Sequence, residues 1–251
     1  NLNYGYPNFE YVLKGMSFIF MIAVPVLTMR GIAEERKQKT DQLLYALPLS
    51  MNDVVMGKYL AMLTVFAVPV AIMAFYPLLL SAYGTISFTT AYSALAGFAF
   101  MGAAFIAVGL FISSLTENQV ISAVLCFLVL LVNYFLEALT EFVSSSSTVS
   151  FIAATVLIAL ICLILWFMTK NLYAALFSLL VLEGAMIAVL AFASSKLSGL
   201  LATVMEDLSL FSRFDSFVNG VFDITALVFY LAVAAVFLFF TVQSLEKRRW
   251  S

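Results

Sequence analysis

Side chains that could do chemistry are few in this sequence of 251 residues. It has no histidine and two cysteines, which removes most metal-binding and nucleophilic chemistries. Cys126 and Cys162 each lie within an apolar run, so a reduced, buried thiol is predicted for both. No Gly-x-x-x-x-Gly-Lys-Ser/Thr phosphate loop occurs, because Gly57-Lys58 lacks a glycine at position 52 and a serine or threonine at 59. No catalytic residue and no resident metal is predicted for this chain.

Polar side chains inside apolar runs are the remaining candidates. Glu183 lies near the middle of the otherwise charge-free run 172–194, and an ionisable residue at membrane depth predicts a partner, an aqueous cavity or a proton site. It faces either the bundle interior or, in a re-entrant segment, water. Asn133, Glu137 and Glu141 recur every four residues and share a helical face. They line an external vestibule or, as is commoner for charged residues, mark a solvated helix end.

The composition indicates the membrane class. Hydrophobic residues make up 64% of the chain and charged residues 10%, with a mean hydropathy of +1.10, whereas a soluble domain carries about 25% charged residues. The net charge of -2 is too balanced for the basic surface that nucleic acids require. An all-α, polytopic transmembrane bundle in one domain over residues 1–251 is predicted.

Apolar runs of about 20 residues with at most one charged residue predict the membrane spans. Seven such runs occur, near 11–29, 59–82, 91–113, 119–139, 149–169, 172–194 and 224–245. Loops on one side of these spans hold every lysine and arginine except Lys14, Lys196 and Arg213, so that side is predicted to be cytoplasmic, with the C-terminus. Because the sequence starts without methionine, a further transmembrane helix is expected upstream.

The connection at 30–58 is the longest on the predicted cytoplasmic side. A helix from Ile32 to Leu47 is predicted, since Pro48 discourages its continuation. Ser50 resembles an N-cap, with Asp53 at the capping-box position. Two short helices at the cytoplasmic face are expected, and composition alone favours an amphipathic elbow at the lipid interface.

The order and spacing of this connection resemble the membrane-spanning subunit of type-2 ABC transporters, in particular the gliding-motility branch. The resemblance is carried by Ala33-Glu34-Glu35-Arg36, Thr40, Leu43-Leu44, Leu47-Pro48-Leu49-Ser50, Val54-Val55 and Gly57-Lys58-Tyr59-Leu60. It continues at Gly220-Val221-Phe222-Asp223, before the last span, and at Lys247-Arg248-Arg249 after it.

The resemblance implies a permease subunit in a bacterial cytoplasmic membrane that pairs with an identical or paralogous permease. Separate cytoplasmic ATPase subunits would hold ATP and Mg²⁺, and transport would be export. Residues 31–58 would be the coupling elbow, with Glu34, Glu35, Arg36, Thr40, Leu43, Leu44, Leu47, Pro48, Gly57 and Lys58 as its site residues.

The roles of these elbow residues stay open on sequence alone. Glu34, Glu35 and Arg36 contact the ATPase or, slightly favoured for the glutamates, form ion pairs with neighbouring helices. Leu43, Leu44 and Leu47 would anchor a partner or pack on the chain's own helices. Such permeases commonly have six spans, so 149–169 and 172–194 would be an extra pair.

Two further segments carry expectations. The amphipathic stretch 195–222 resembles the short external helices that, in this family, dip into the outer leaflet and cap the translocation path; an ordinary interfacial helix is the alternative. Small residues at 94–109 predict close helix packing within the bundle, in preference to a dimer interface.

Three other functions are compatible with a polytopic membrane protein. A proton-coupled secondary transporter would use Glu183, but no inverted repeat is detected. The absence of histidine argues against an intramembrane enzyme, although a catalytic serine–lysine pair is compatible with the sequence. A structural or sensory membrane subunit is the third alternative. The apolar walls suit lipid-linked, peptide or other amphipathic cargo without selecting one.

Overall fold

The computed structural model describes residues 9–40, 49–142, 155 and 200–249, and these residues form helices and connections without strands. The helices are α1 (Phe9–Ser17), α2 (Phe20–Thr28), α3 (Ala33–Lys37), α4 (Met51–Met73), α5 (Tyr76–Leu80), α6 (Phe88–Leu115), α7 (Gln119–Phe142), α8 (Leu200–Leu208), α9 (Phe214–Val218) and α10 (Ile224–Arg249). The all-α prediction is confirmed for the described residues.

The chain divides into two compact units. Asn1–Tyr134 with Leu210–Ser251 forms one, and Phe135–Ser209 forms the other. Within the second unit, the structure describes the end of α7, Thr155 and α8. Apart from the end of α7 and helix α8, the features that follow belong to the first unit.

Four described segments are long and apolar enough to cross a membrane: Met51–Leu80, Phe88–Leu115, Gln119–Leu136 and Ile224–Arg248. They match the spans predicted near 59–82, 91–113, 119–139 and 224–245. The two spans predicted at 149–169 and 172–194 lie outside the described residues, so the predicted total of seven is not confirmed.

The first predicted span, 11–29, is a bent pair and not one straight helix. Phe9–Ser17 and Phe20–Lys37 meet at 55°. The Ser17 hydroxyl donates to the Lys14 carbonyl at 2.6 Å, and the amides of Ile19, Met21 and Ile22 donate to carbonyls three residues earlier. Such short-range bonds replace the regular helical ladder and bend the axis.

Helix α6 is the central element, and it packs against α1, α2, α3, α4, α9 and α10. Close approach depends on glycines: a Cβ atom at Gly102 would clash with the Phe66 ring, and one at Gly109 would clash with the Thr28 side chain. These contacts lie within the chain, which confirms that small residues at 94–109 serve packing inside the bundle.

The outer faces of the long helices are apolar and exposed. Helix α4 exposes Leu60, Val65, Val68 and Ile72, and α10 exposes Val228, Leu231, Val236 and Phe239. Contiguous apolar surface of this extent is unfavourable in water. It is the surface expected of helices that face lipid acyl chains.

Helices α8 and α9 occupy the stretch predicted to contain short helices before the last span. The segment around α9, however, is not simply laid on a lipid surface. Phe214 and Phe217 are buried, and α9 packs against α6 and α1. Its apolar face is covered by protein, a distinction that amphipathic spacing alone does not make.

Candidate functional site

The elbow, residues 31–58, is described at 31–40 and 49–58. Its first helix, α3, begins at Ala33, and the preceding N-cap residue, Ile32, has no side chain able to cap the free amides of a helix N-terminus. The Ser113 hydroxyl near the end of α6 takes that role, accepting hydrogen bonds from the Ile32 and Ala33 amides at 3.1 Å each. Ser113 is fully buried. The elbow therefore depends on α6 for its helix cap.

Arg36 makes the second connection to α6. Its side chain is buried, with 4% exposed, and its guanidinium donates to the Ser114 carbonyl. The same carbonyl accepts a bond from the Ser244 hydroxyl of α10 at 3.3 Å. A buried charge is tolerated only where it is hydrogen-bonded, so Arg36 fixes the elbow to the point where α6 and α10 meet.

Lys58 joins the elbow to α4. Its ammonium pairs with the Glu35 carboxylate and donates to the Gly31 carbonyl at 2.8 Å. Lys58 and Glu35 are both largely shielded, with 18% and 33% of their side chains exposed. These contacts favour a structural role for Glu35 over a direct docking contact.

Glu34 differs from its two neighbours. It lies 3.9 Å from the largely exposed Arg30 and accepts a hydrogen bond from Gln38 at 3.2 Å. The Glu34 side chain is 34% exposed, much as that of Glu35 is, but an ion pair as long as the one with Arg30 contributes little to stability. Of the acidic pair predicted for the elbow, Glu34 is therefore the one better placed to meet a partner.

Helix α3 ends at Lys37, ten residues earlier than predicted from Pro48. Lys39 has a φ of 58°, its amide bonds the Arg36 carbonyl at 3.1 Å, and the Thr40 amide bonds the Glu35 carbonyl at 2.9 Å. This Schellman arrangement satisfies the last carbonyls. The prediction of one helix through Leu47 is wrong because the motif forms without its usual glycine.

The second elbow helix was predicted as a short helix that starts after Ser50 at the cytoplasmic face and leads into the next span. The capping box is confirmed: the Asp53 amide donates to the Ser50 hydroxyl at 3.2 Å, and the Ser50 amide donates to the Asp53 carboxylate at 3.3 Å. However, α4 continues from Met51 to Met73 without interruption. Gly57 is exposed, with open space around it.

Several predicted site residues are not joined to this cluster. Leu43, Leu44, Leu47 and Pro48 lie outside the described residues, as does Glu183. Asn133, on α7, is half-buried and accepts a hydrogen bond from the Leu210 amide at 3.0 Å. In the structure Asn133 supports the connection before α9, at a distance along the chain from the elbow.

Sequence reasoning missed Ser113 and Ser114. The Ser113 hydroxyl and the Ser114 carbonyl bind the elbow, yet in the sequence the two serines look like the ordinary polar end of a charge-free span. Arg248 of α10 adds an ion pair with Glu117, just beyond α6, at 3.1 Å. The elbow, the end of α6 and the end of α10 thus form one polar cluster, here called the elbow cluster.

A family model described as an ABC-2 family transporter protein matches residues 1–144, more than half of the chain. This chain belongs to the ABC-2 transporter family. The ABC-2 permease is thus the membrane component of an ABC transporter, a multi-pass membrane protein whose family works with ATPase partners. No curated protein and no solved structure matches the chain. The matched range contains the elbow and the helices α1 to α7 that precede residue 144.

Proposed function

We propose that this ABC-2 permease is one half of an ATP-driven exporter, and that its elbow receives the movement of a separate ATPase subunit. The observation that carries the proposal is the elbow cluster. Helix α3 and the residues just before it bond to Lys58 of α4 and to Ser113 and Ser114 of α6, and the Ser114 carbonyl also accepts a bond from Ser244 of α10. A force on α3 would therefore reach three long helices at once.

The burial of these hydrogen bonds supports the idea that a movement of α3 is passed on to α6, and that the elbow does not bend by itself. The Ile32 and Ala33 amides and the Ser113 hydroxyl are buried, so breaking them leaves polar groups without water. Displacing α3 as a unit with the end of α6 avoids that penalty. Packed elements of this kind pass from one arrangement to another as bodies, which is how ATP-driven closure would tilt the spans.

The exposed side of the elbow offers the docking surface. Lys37, Gln38 and Lys39 are exposed at the end of α3, and they give it a basic character that would fit an acidic ATPase surface. Leu43, Leu44 and Leu47 follow in sequence and would supply apolar anchors. ATP and Mg²⁺ would be held by the ATPase, where hydrolysis would take place.

The rest of the proposed assembly follows from this arrangement. The elbow end would face the cytoplasm of a bacterial cell, and α10 would leave the C-terminus on the same side. A second permease subunit, identical or paralogous, would complete the translocation path. The resemblance of the elbow motif supports the gliding-motility branch as the proposed subfamily, and lipid-linked, peptide or other amphipathic molecules are the proposed cargo.

Co-purification from the cell of origin in mild detergent tests the proposal. An ATPase subunit should be retained by the full chain, and Lys37→Glu with Lys39→Glu should release it more readily than the corresponding glutamine pair. Raising the salt concentration should also weaken binding, because exposed charges are screened. Purification of the intact permease without any nucleotide-binding partner would contradict the proposal.

A further inference from the structure

A groove lies between α6 and α10 on the outer side of the elbow cluster. It is an open groove of about 540 Å³, and Phe111, Leu115, Phe240, Gln243, Lys247 and Arg248 are among the residues that line it. The groove sits where the apolar segments Phe88–Leu115 and Ile224–Arg248 both end. In a membrane protein, this is the level at which acyl chains give way to headgroups.

One part of the groove is apolar and open. Phe111 and Phe240 are neighbours, with ring centroids 5.8 Å apart. Leu115 and Phe240 are 51% and 45% exposed, so both present apolar surface to whatever fills the groove. These side chains lack a protein neighbour that covers them in the described residues, and an acyl chain is chemically suited to do so.

The other part is polar and basic. Phe240, Gln243 and Lys247 follow one face of α10 at helical spacing. Seven residues of helix advance about 10 Å, so the lining changes from aromatic to cationic over the depth of an interfacial region.

The two cations in the lining differ in their partners. Arg248 is paired with Glu117 at 3.1 Å, whereas Lys247 is exposed and has no carboxylate partner among the described residues. The charge of Lys247 is therefore available to a ligand. A phosphodiester is an anion that a lysine binds as a point charge without demanding bidentate geometry.

We propose that this groove binds an anionic phospholipid, with one acyl chain along Phe111, Leu115 and Phe240 and the phosphate on Lys247. The apolar part of the groove argues against a free anion as the ligand, since a free anion would contact only the basic end. The basic part favours an anionic over a zwitterionic headgroup, because each lysine near a membrane surface strengthens attraction to negative lipid. The bound lipid would fill the space beside the joint between α6 and α10.

Native mass spectrometry of the full chain in mild detergent tests this directly. The protein is titrated with palmitoyl-oleoyl phosphatidylglycerol and, separately, with the phosphatidylcholine of the same chains. One phosphatidylglycerol should bind about fivefold more tightly than phosphatidylcholine, and Lys247→Gln should remove that preference, which is the ratio expected for one surface lysine. Lys247→Arg should retain it.

Two further variants separate the two parts of the groove. Lys37→Gln removes an exposed lysine from the elbow and should leave the preference for phosphatidylglycerol intact. This control distinguishes binding in the groove from a general effect of the protein's positive charge. Leu115→Gln should weaken both lipids about equally, because it alters only the apolar contact. Matching elution and helical content would show that each variant is folded.

Three results would overturn the proposal. Equal binding of the two lipids to the unmodified chain would do so. Competition by inorganic phosphate as strong as that by phosphatidylglycerol would reduce the groove to a simple anion site. Unchanged lipid binding in Lys247→Gln, accompanied by loss of a co-purifying ATPase subunit, would identify the groove as a subunit contact instead.

Discussion

The two ends of the central helix α6 are held by different kinds of interaction. At its C-terminal end, Ser113 and Ser114 make buried hydrogen bonds to the elbow. Towards its N-terminal end, Gly97 admits the ring of Phe217 from α9, so close that an added Cβ atom would lie 2.6 Å from it. Hydrogen bonds constrain direction, whereas apolar packing constrains volume. The elbow end of α6 is thus suited to transmit a directed movement, whereas the α9 end is suited to keep the packed helices at a fixed separation.

Surface charges reinforce the contrast. Around α9, Lys14 pairs with Asp215 at 2.5 Å, with 49% and 28% of the side chains exposed. At the elbow the corresponding cation, Arg36, is buried and bonded to a backbone carbonyl. The same type of interaction should therefore matter more at the elbow, while packing should matter more at α9.

Phe217→Ala is expected to have the largest effect on stability. The ring is fully buried against α6, and its removal leaves a cavity that costs about 3 to 5 kcal/mol. Thermal unfolding in detergent should show a large decrease in melting temperature. Phe222→Ala is the control, since that ring is 54% exposed, and an equal loss in both variants would mean that α9 does not hold this end by packing.

Arg36→Gln should come next. The change removes a charged donor from the Ser114 carbonyl, and hydrogen bonds of charged groups contribute about 1.5 to 3 kcal/mol. Melting temperature should fall, and the fraction of ATPase activity that depends on the permease should fall with it. Lys37→Gln, at the exposed neighbouring position, serves as the control for thermal stability and should change it little.

Ser113→Ala is expected to cost about 1 kcal/mol, the typical loss for a removed helix cap. The adjacent Ser114→Ala is a matched control, because the Ser114 hydroxyl has no hydrogen-bond partner in the described structure and its carbonyl is retained. Amide hydrogen exchange at Ile32 and Ala33 should accelerate only in the first variant. Equal exchange in both would show that the hydroxyl of Ser113 does not cap α3.

The smallest effect is predicted for Lys14→Gln. Exposed ion pairs contribute about 0 to 1 kcal/mol, so the melting temperature should move slightly and the difference should vanish at high salt. A large, salt-independent loss would place Lys14 among the buried interactions and weaken the contrast between the two ends.

Much of the fold was predictable where the signal is local. Charge-free runs located four spans, and Ser50 with Asp53 predicted the helix start, since each of these features depends on neighbouring residues. The early end of α3 was not predictable in the same way, because Lys39 occupies a left-handed position that usually carries glycine.

Features that depend on distant partners were the least accessible. Ser113 caps a helix 80 residues away in sequence, and nothing beside it marks that role. The apolar face of α9 looks the same whether lipid or protein covers it. The sequence singled out Glu35, Arg36 and Lys58 as elbow residues, and their role in coupling stays a prediction; that Arg36 is buried and that Lys58 pairs with Glu35 became clear only from their contacts.

A distance measurement across the elbow tests the central claim most directly. Spin labels at Lys37→Cys and Leu115→Cys, in a chain with Cys126 and Cys162 replaced, report the separation of α3 from the end of α6 in the complex with its ATPase. A second pair, Lys37→Cys with a label on the second permease subunit, reports the position of the elbow relative to the other half of the transporter. On addition of ATP and Mg²⁺, the first distance should stay constant while the second changes. A change confined to the first distance would show that the elbow moves independently of α6 and would contradict the account.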